Sequence, residues 1–177
     1  MRRLAVLVLT GCALLGCAEA PAPRAEAVSS PDTASVDVGG ALTEAAAGQL
    51  LYVPAYSHVY FGDRQRPVDL ATTLSVRNAD PGTPIRIVRI QYVGSDGETI
   101  RPYLDAPRLL RPLATLDVVV DQGDRSGGSG ASFLVEWTAD GPVAPPVVEA
   151  VMISTSGQQG ISFVTEGRVI TEAGGRP

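Results

Sequence analysis

A hydrophobic period of two, interrupted by Gly, Pro, Asn and Asp about every 8–12 residues, constrains this chain more than any other feature. It is cleanest from Leu70 to Arg77. There Leu70, Thr72, Leu74 and Val76 share one side, and Ala71, Thr73, Ser75 and Arg77 share the other. Successive strand side chains point to opposite faces, so this segment reads as a half-buried strand. Asn78-Ala79-Asp80-Pro81-Gly82 ends it, because Asn and Asp bond local backbone and Pro-Gly favours a turn.

The same grammar repeats downstream. Leu51-Tyr52-Val53 predicts a short strand closed by Pro54. Ile85 to Gly94 is apolar but changes phase near Val88, which predicts a bulge or burial on both faces. Ser95-Asp96-Gly97-Glu98 predicts a hairpin with a type I′ turn, and Thr99 to Leu104 the return strand, weakened by Pro102. Leu109 to Leu113 leads into Thr115 to Asp121, where Leu116, Val118 and Val120 share a face. After the Gly-rich loop from Asp121 to Gly130, Ala131, Phe133, Val135 and Trp137 alternate with Ser132, Leu134 and Glu136, marking the centre of the core. Pro142, Pro145 and Pro146 stiffen a crossing. Val147 to Ser154 is the next strand, Gly157-Gln158-Gln159-Gly160 a turn, and Ile161 to Ile170 the last strand.

Roughly seven to nine short strands without a long helix predict a single all-β domain, an antiparallel β-sandwich over residues 49–172. An immunoglobulin-like topology is the expected form, although the Cys-Trp-Cys framework of antibody domains is missing. Residues 173–177 read as a disordered tail. Thr43 to Leu51 has the composition of a helical turn at most.

The N-terminus carries a different message. Arg2 and Arg3 precede an apolar run from Leu4 to Leu15 that is too short to span a bilayer, so residues 1–16 read as a secretory signal. The run ends in Leu14-Leu15-Gly16-Cys17, which resembles the lipobox of bacterial lipoproteins. That resemblance implies a lipidated Cys17 and a membrane attachment through it. Leu9-Thr10-Gly11-Cys12 fits the pattern with a shorter apolar core, and an ordinary signal peptide cut near Ala18 or Ala20 is the plainer alternative. Residues 17–48, rich in Ala, Pro, Ser and Glu, read as a tether whose reach is on the order of 30 Å.

Both cysteines, Cys12 and Cys17, lie in this leader, so the folded part must be stable without disulfides and offers no thiol chemistry. All 14 basic residues are arginine, which excludes a Walker A lysine, a Schiff base and a Ser-Lys dyad. Loss of residues 1–16 removes two arginines and no acid, taking the formal charge from −5 to −7. Such acidity argues against nucleic acid as a partner.

Three phrases are longer than strand grammar requires: YVPAYSHVYFGDRQRPVDLATTLSVRN, GGSGASFLVEW and PPVVEAVMISTSGQQGISF. With them, the stretch from about Leu51 to Ile170 resembles an uncharacterised family of bacterial lipoproteins, classed as domain of unknown function 3124. The resemblance implies a bacterial envelope protein, facing periplasm or cell exterior. It implies no activity and supplies no catalytic residue.

Candidate chemistry concentrates between Tyr52 and Arg66. Tyr52, Tyr56, His58 and Tyr60 with Asp63, Arg64 and Arg66 form an expected binding surface, since tyrosine gives amphipathic contact area and arginine a planar bidentate donor. A carboxylate, a glycan or a protein groove would suit it. The plainer alternative is that Tyr56, His58 and Tyr60 form one packed face of a short strand. A lone histidine without cysteines in the folded part leaves only carboxylates as further ligands, which argues against a transition-metal site, so no metal or other cofactor is expected. Ser57 adjoins His58, but alternation sends neighbouring strand residues to opposite faces, which argues against a Ser-His pair. Asp121 and Asp124 could offer oxygens to calcium, without the spacing of a known calcium loop.

Three readings follow. The favoured one is a non-catalytic binding or assembly module of the cell envelope. Another is an envelope hydrolase using Asp63, Asp124 or Glu136 with His58. The third is a purely structural lipoprotein.

Overall fold

The computed structural model describes residues 40–63, 65–156 and 159–174, so Cys12, Cys17, Arg64, the leader and most of the expected tether lie outside the described residues. Among the described residues no helix is long and apolar enough to cross a membrane. A five-residue helix, α1 (Gly40–Glu44), precedes the strands. It overlaps the expected turn only at Thr43 and Glu44, and Ala47 onward is already strand.

Among the described residues twelve strands follow: β1 (Ala47–Pro54), β2 (His58–Tyr60), β3 (Pro67–Asp69), β4 (Ala71–Arg77), β5 (Ile85–Val93), β6 (Thr99–Pro102), β7 (Arg108–Leu110), β8 (Thr115–Val120), β9 (Ser132–Ala139), β10 (Val147–Ser156), β11 (Gln159–Glu166) and β12 (Arg168–Glu172). The larger sheet runs β12-β1-β9-β5-β6, with β7 also on β5; the smaller runs β11-β10-β4-β8; β2 and β3 form a ribbon of their own. Every described pairing is antiparallel.

One core lies between the two sheets. Val53, Ile87, Ile90, Tyr92, Phe133, Val135 and Trp137 enter it from the larger sheet, and Leu74, Val76, Val118, Val148, Ala150 and Met152 from the smaller. The expected all-β antiparallel sandwich is therefore present. Matching β4, β5, β8 and β9 to strands B, C, E and F of an immunoglobulin constant domain reproduces the B–E and C–F pairs. The place of G is instead held by β1 and that of A by β10, so this strand order does not establish an immunoglobulin-like topology.

Local details follow the sequence closely in places. Leu70, Thr72, Leu74 and Val76 are all buried. The phase change in β5 is a bulge, seen as a register shift against β9 between Ile87 and Arg89. The hairpin after β5 departs from type I′: only Gly97 takes positive φ, at 88°, and its N–H bonds the Gly94 carbonyl while Gly94 N–H bonds Glu98. That is a three-residue loop with glycine in the left-handed position. The expected last strand is two strands. It breaks at Gly167, so β11 lies in the smaller sheet and β12 in the larger. A Cβ at Gly167 would sit 3.1 Å from Leu51 Cδ2 and 3.2 Å from the Val148 carbonyl, so only glycine fits this crossing without displacement.

The largest departure concerns β9. All eight of its residues are buried, including Glu136, which is 1% exposed. Glu136 faces away from the core, beside Leu50 and Arg89 in register. There Leu42 of α1 packs with Leu50, Val93 and Leu134, and the Arg89 guanidinium closes on the Glu136 carboxylate at 2.6 Å.

Candidate functional site

One end of the sandwich gathers the segment from Ala55 to Asp69, the 121–130 loop, the 94–98 hairpin and the end of β10. Their joins are specific. Ala55 N–H donates to Ala131 C=O, Leu70 N–H to Ser57 C=O, and Ser95 N–H to Gly127 C=O. Arg125 forms a two-pronged bond with Asp69, at 2.6 and 2.9 Å. Gln122 Nε2 reaches the Asp69 carbonyl and Ser154 Oγ, both at 3.4 Å. The two regions that the sequence presents separately, Tyr56–Arg66 and the Gly-rich loop, are thus one structural unit. Gly127 shows why glycine is needed there, because a Cβ would lie 2.0 Å from the Tyr92 hydroxyl.

The residues of the expected binding surface divide. Tyr52 lies on the outward face of the larger sheet, and Tyr56 packs edge-on against Phe163 with ring centroids 5.7 Å apart. His58 is buried. Tyr60, Asp63 and Arg66 are exposed, and Arg66 Nε lies 3.8 Å from the Asp63 carboxylate. Arg64 is outside the described residues.

Ser57 and His58 do meet, which corrects the expectation from alternation. Ser57 Oγ lies 3.0 Å from His58 Nδ1, because Ser57 precedes β2 and is not bound by its period. Ser57 is fully buried and donates its hydroxyl proton to the Gly128 carbonyl at 2.8 Å. A hydroxyl has one proton, so His58 Nδ1–H must donate to Ser57, and the other ring nitrogen, Nε2, lies 3.3 Å from the Tyr60 hydroxyl. This direction is the reverse of an imidazole base activating a serine. The network ties β2 to the Gly-rich loop.

The carboxylates weighed for hydrolysis lie in separate places. Glu136 is paired with Arg89 on the outward face of the larger sheet, Asp63 lies near Arg66, and Asp124 bonds Arg101. The Ser126 hydroxyl and the Arg101 guanidinium hold the Asp124 carboxyl down to about 2. Arg101 also stacks against Tyr92 and Tyr103, 5.4 Å from each ring centre, and its own pKa is pushed further up by Asp124. Burial raises the Tyr92 hydroxyl to about 12. The Arg125 hydrogen bond lowers the Asp69 carboxyl. Among the described residues no group of three His, Cys, Asp or Glu is placed to hold a metal ion.

What remains open at this end is an apolar cleft of about 230 Å³, lined by Phe61, Val68, Ser154, Gln159 and Ile161. Phe61, at the tip of the β2–β3 ribbon, is 71% exposed beside it. Phe61 N–H bonds the Arg66 carbonyl at 3.0 Å, and Gly62 turns the chain with φ of 78°, so the ring is held out by the turn itself. Sequence reading passed over Phe61, Val68 and Ile161; the available signal was an aromatic immediately before a Gly-Asp turn.

The folded region, from within β1 to within β12, matches a family model described as a protein of unknown function (DUF3124) over residues 48–170. The chain belongs to this family. No curated protein matches it. Among solved structures it is similar to the crystal structure of Thermotoga maritima 1070, at 14% identity and a TM-score of 0.37, covering 68% of this chain and 92% of that one.

Proposed function

We propose that this protein is a non-catalytic binding or assembly module, held to a bacterial envelope membrane through a lipid on Cys17, and that it works with the end of the sandwich around Phe61. The exposed phenylalanine beside an open apolar cleft carries this reading. A solvated aromatic held by its own turn gains little for the fold and much for a partner that covers it. Phe61, Val68 and Ile161 line the cleft together with Ser154 and Gln159, and the Tyr60, Asp69 and Arg125 groups stand close by on the same ribbon and loop. That combination suits an aromatic or aliphatic side chain of an envelope protein, flanked by polar contacts. The expected envelope residence and lipid anchor rest on the Leu14–Cys17 pattern.

Crosslinking and capture from native membranes, with the full chain as bait, tests the module. A partner recovered by wild type and lost by Phe61→Ala supports it. A partner held equally by both, or none, removes its basis. Fatty-acid labelling tests the anchor separately, and labelling that survives Cys17→Ser would exclude that residue.

A further inference from the structure

Among the described residues β11 pairs with β10 alone, and no backbone bond of a turn or loop uses its other side. Other edges of the molecule are guarded. β6 carries Pro102 and the ion-paired Arg101, β8 has Asp117 at its middle, and β12 is short and holds Arg168 and Glu172. Prolines, charges and short length are the usual means of keeping an edge from pairing. β11 has eight residues, no proline and one charge, placed at its end.

Two clefts border this one strand. Near its start, Gln159 and Ile161 line the apolar cleft beside Phe61. Near its end, Val164, Thr165 and Glu166 line a second cleft of about 400 Å³ together with Pro54 and Arg168. The second differs in chemistry. Among the described residues neither Glu166 nor Arg168 is in an ion pair, so a carboxylate and a guanidinium both stand ready for a partner. Ile161 and Thr165 are four residues apart on one side of the strand, about 13 Å at the rise of an extended chain.

That layout selects the form of the occupant. A small molecule in one cleft leaves the other cleft and the edge between them bare. A helix has spent its backbone groups internally and cannot bond the edge. One extended polypeptide segment reaches both clefts and pairs with the strand between them, its alternate side chains entering the clefts. We propose that the partner docks through such a segment, laid antiparallel along β11 as in every described pairing. It carries a leucine or aromatic residue opposite Ile161, for the Phe61 cleft. Four residues before that, opposite Thr165, it carries a glutamine or asparagine, whose amide donates to Glu166 and accepts from Arg168. This rests on the reading of the Phe61 cleft as a binding site, and adds how the partner enters it.

A labelled synthetic peptide, Thr-Gln-Thr-Val-Thr-Leu-Thr, titrated into the full chain and followed by fluorescence anisotropy, tests this. Moving the glutamine one place toward the leucine puts the two on opposite faces and should weaken binding on the order of tenfold. Methylating the peptide's backbone nitrogens singly, at three successive central residues, reads the pairing itself. A strand turns alternate N–H groups toward its neighbour, so the cost should be on the order of tenfold at alternate residues and small between them. No binding to the wild-type chain overturns the proposal, as does a methylation cost that fails to alternate. A flat methylation profile in a peptide that still depends on Phe61, by comparison with Phe61→Ala, would remove the strand pairing and leave the cleft standing, so the two readings fail separately.

Discussion

β9 and β11 hold opposite places in this molecule. In β9 a glutamate is sealed from water at 1% exposure; in β11 Val164 is 54% exposed. Both strands alternate, and both put a polar or β-branched residue on the face away from the core. What differs is what lies over that face. α1 brings Leu42 down on Leu50 and Leu134 over the larger sheet, and Arg89 reaches across to neutralise Glu136. The outward face of the smaller sheet has Val119, Val147, Ile153 and Val164 half open. Pattern sets the direction of a side chain, and only the next layer decides whether that direction is wet.

Breaking the sealed side should cost most. Glu136→Ala leaves the Arg89 guanidinium, 18% exposed, without its partner, and a loss of about 3–5 kcal/mol in urea unfolding is expected. Arg89→Met/Glu136→Leu replaces both charges with apolar volume and should be close to neutral or stabilising. If the single and double variants lose equally, the outward face of β9 is not a sealed layer.

The inner faces give a second contrast. Phe133→Ala empties a fully buried site and should cost about 3–5 kcal/mol. Phe163→Ala, in a ring only partly withdrawn from water, should cost about 1–2 kcal/mol by the same measurement.

Acid sharpens a third difference. Asp124 is held at about 2, so its contribution is full above the unfolded carboxylate range near 4 and is lost as pH falls toward 2. With solvent screening the contribution is about 1 kcal/mol. Asp124→Asn should flatten stability against pH in that window and leave its slope above pH 5 unchanged. The smallest effect belongs to the open face, where Ile153→Thr should change stability by no more than about 0.5 kcal/mol.

Much of this architecture was legible. The period of two located β4 and β8, and the break in period at Val88 located the bulge of β5. Gly167 was visible as a glycine inside a strand pattern, yet an uninterrupted strand was read there, since periodicity persists on both sides of a change of sheet. Glu136 was read only as alternating with the core residues of its strand and as a carboxylate for hydrolysis; its burial was not legible, because its cover comes from a helix far off in sequence. Ser57–His58 was missed by applying strand alternation one residue before the strand begins. At the candidate site, the Asp69–Arg125 bond joins β3 to a loop that nothing local connects to it, while the exposed aromatic before Gly62 could have been found.

The position of β1 has a consequence for how the chain is made. β1 sits between β9 and β12, so the first strand has no sheet neighbour until most of the sequence exists, and no complete one until its last strand does. Synthesis proceeds from the N-terminus, so β1 is made before any of its partners. β1 must therefore wait, solvated and unpaired, while β4, β5 and β8 assemble without it. Closing so long a loop is slow, which gives any factor that shields Leu50, Leu51 and Val53 a period in which to act, and leaves the pairing of β1 incomplete until β12 is in place.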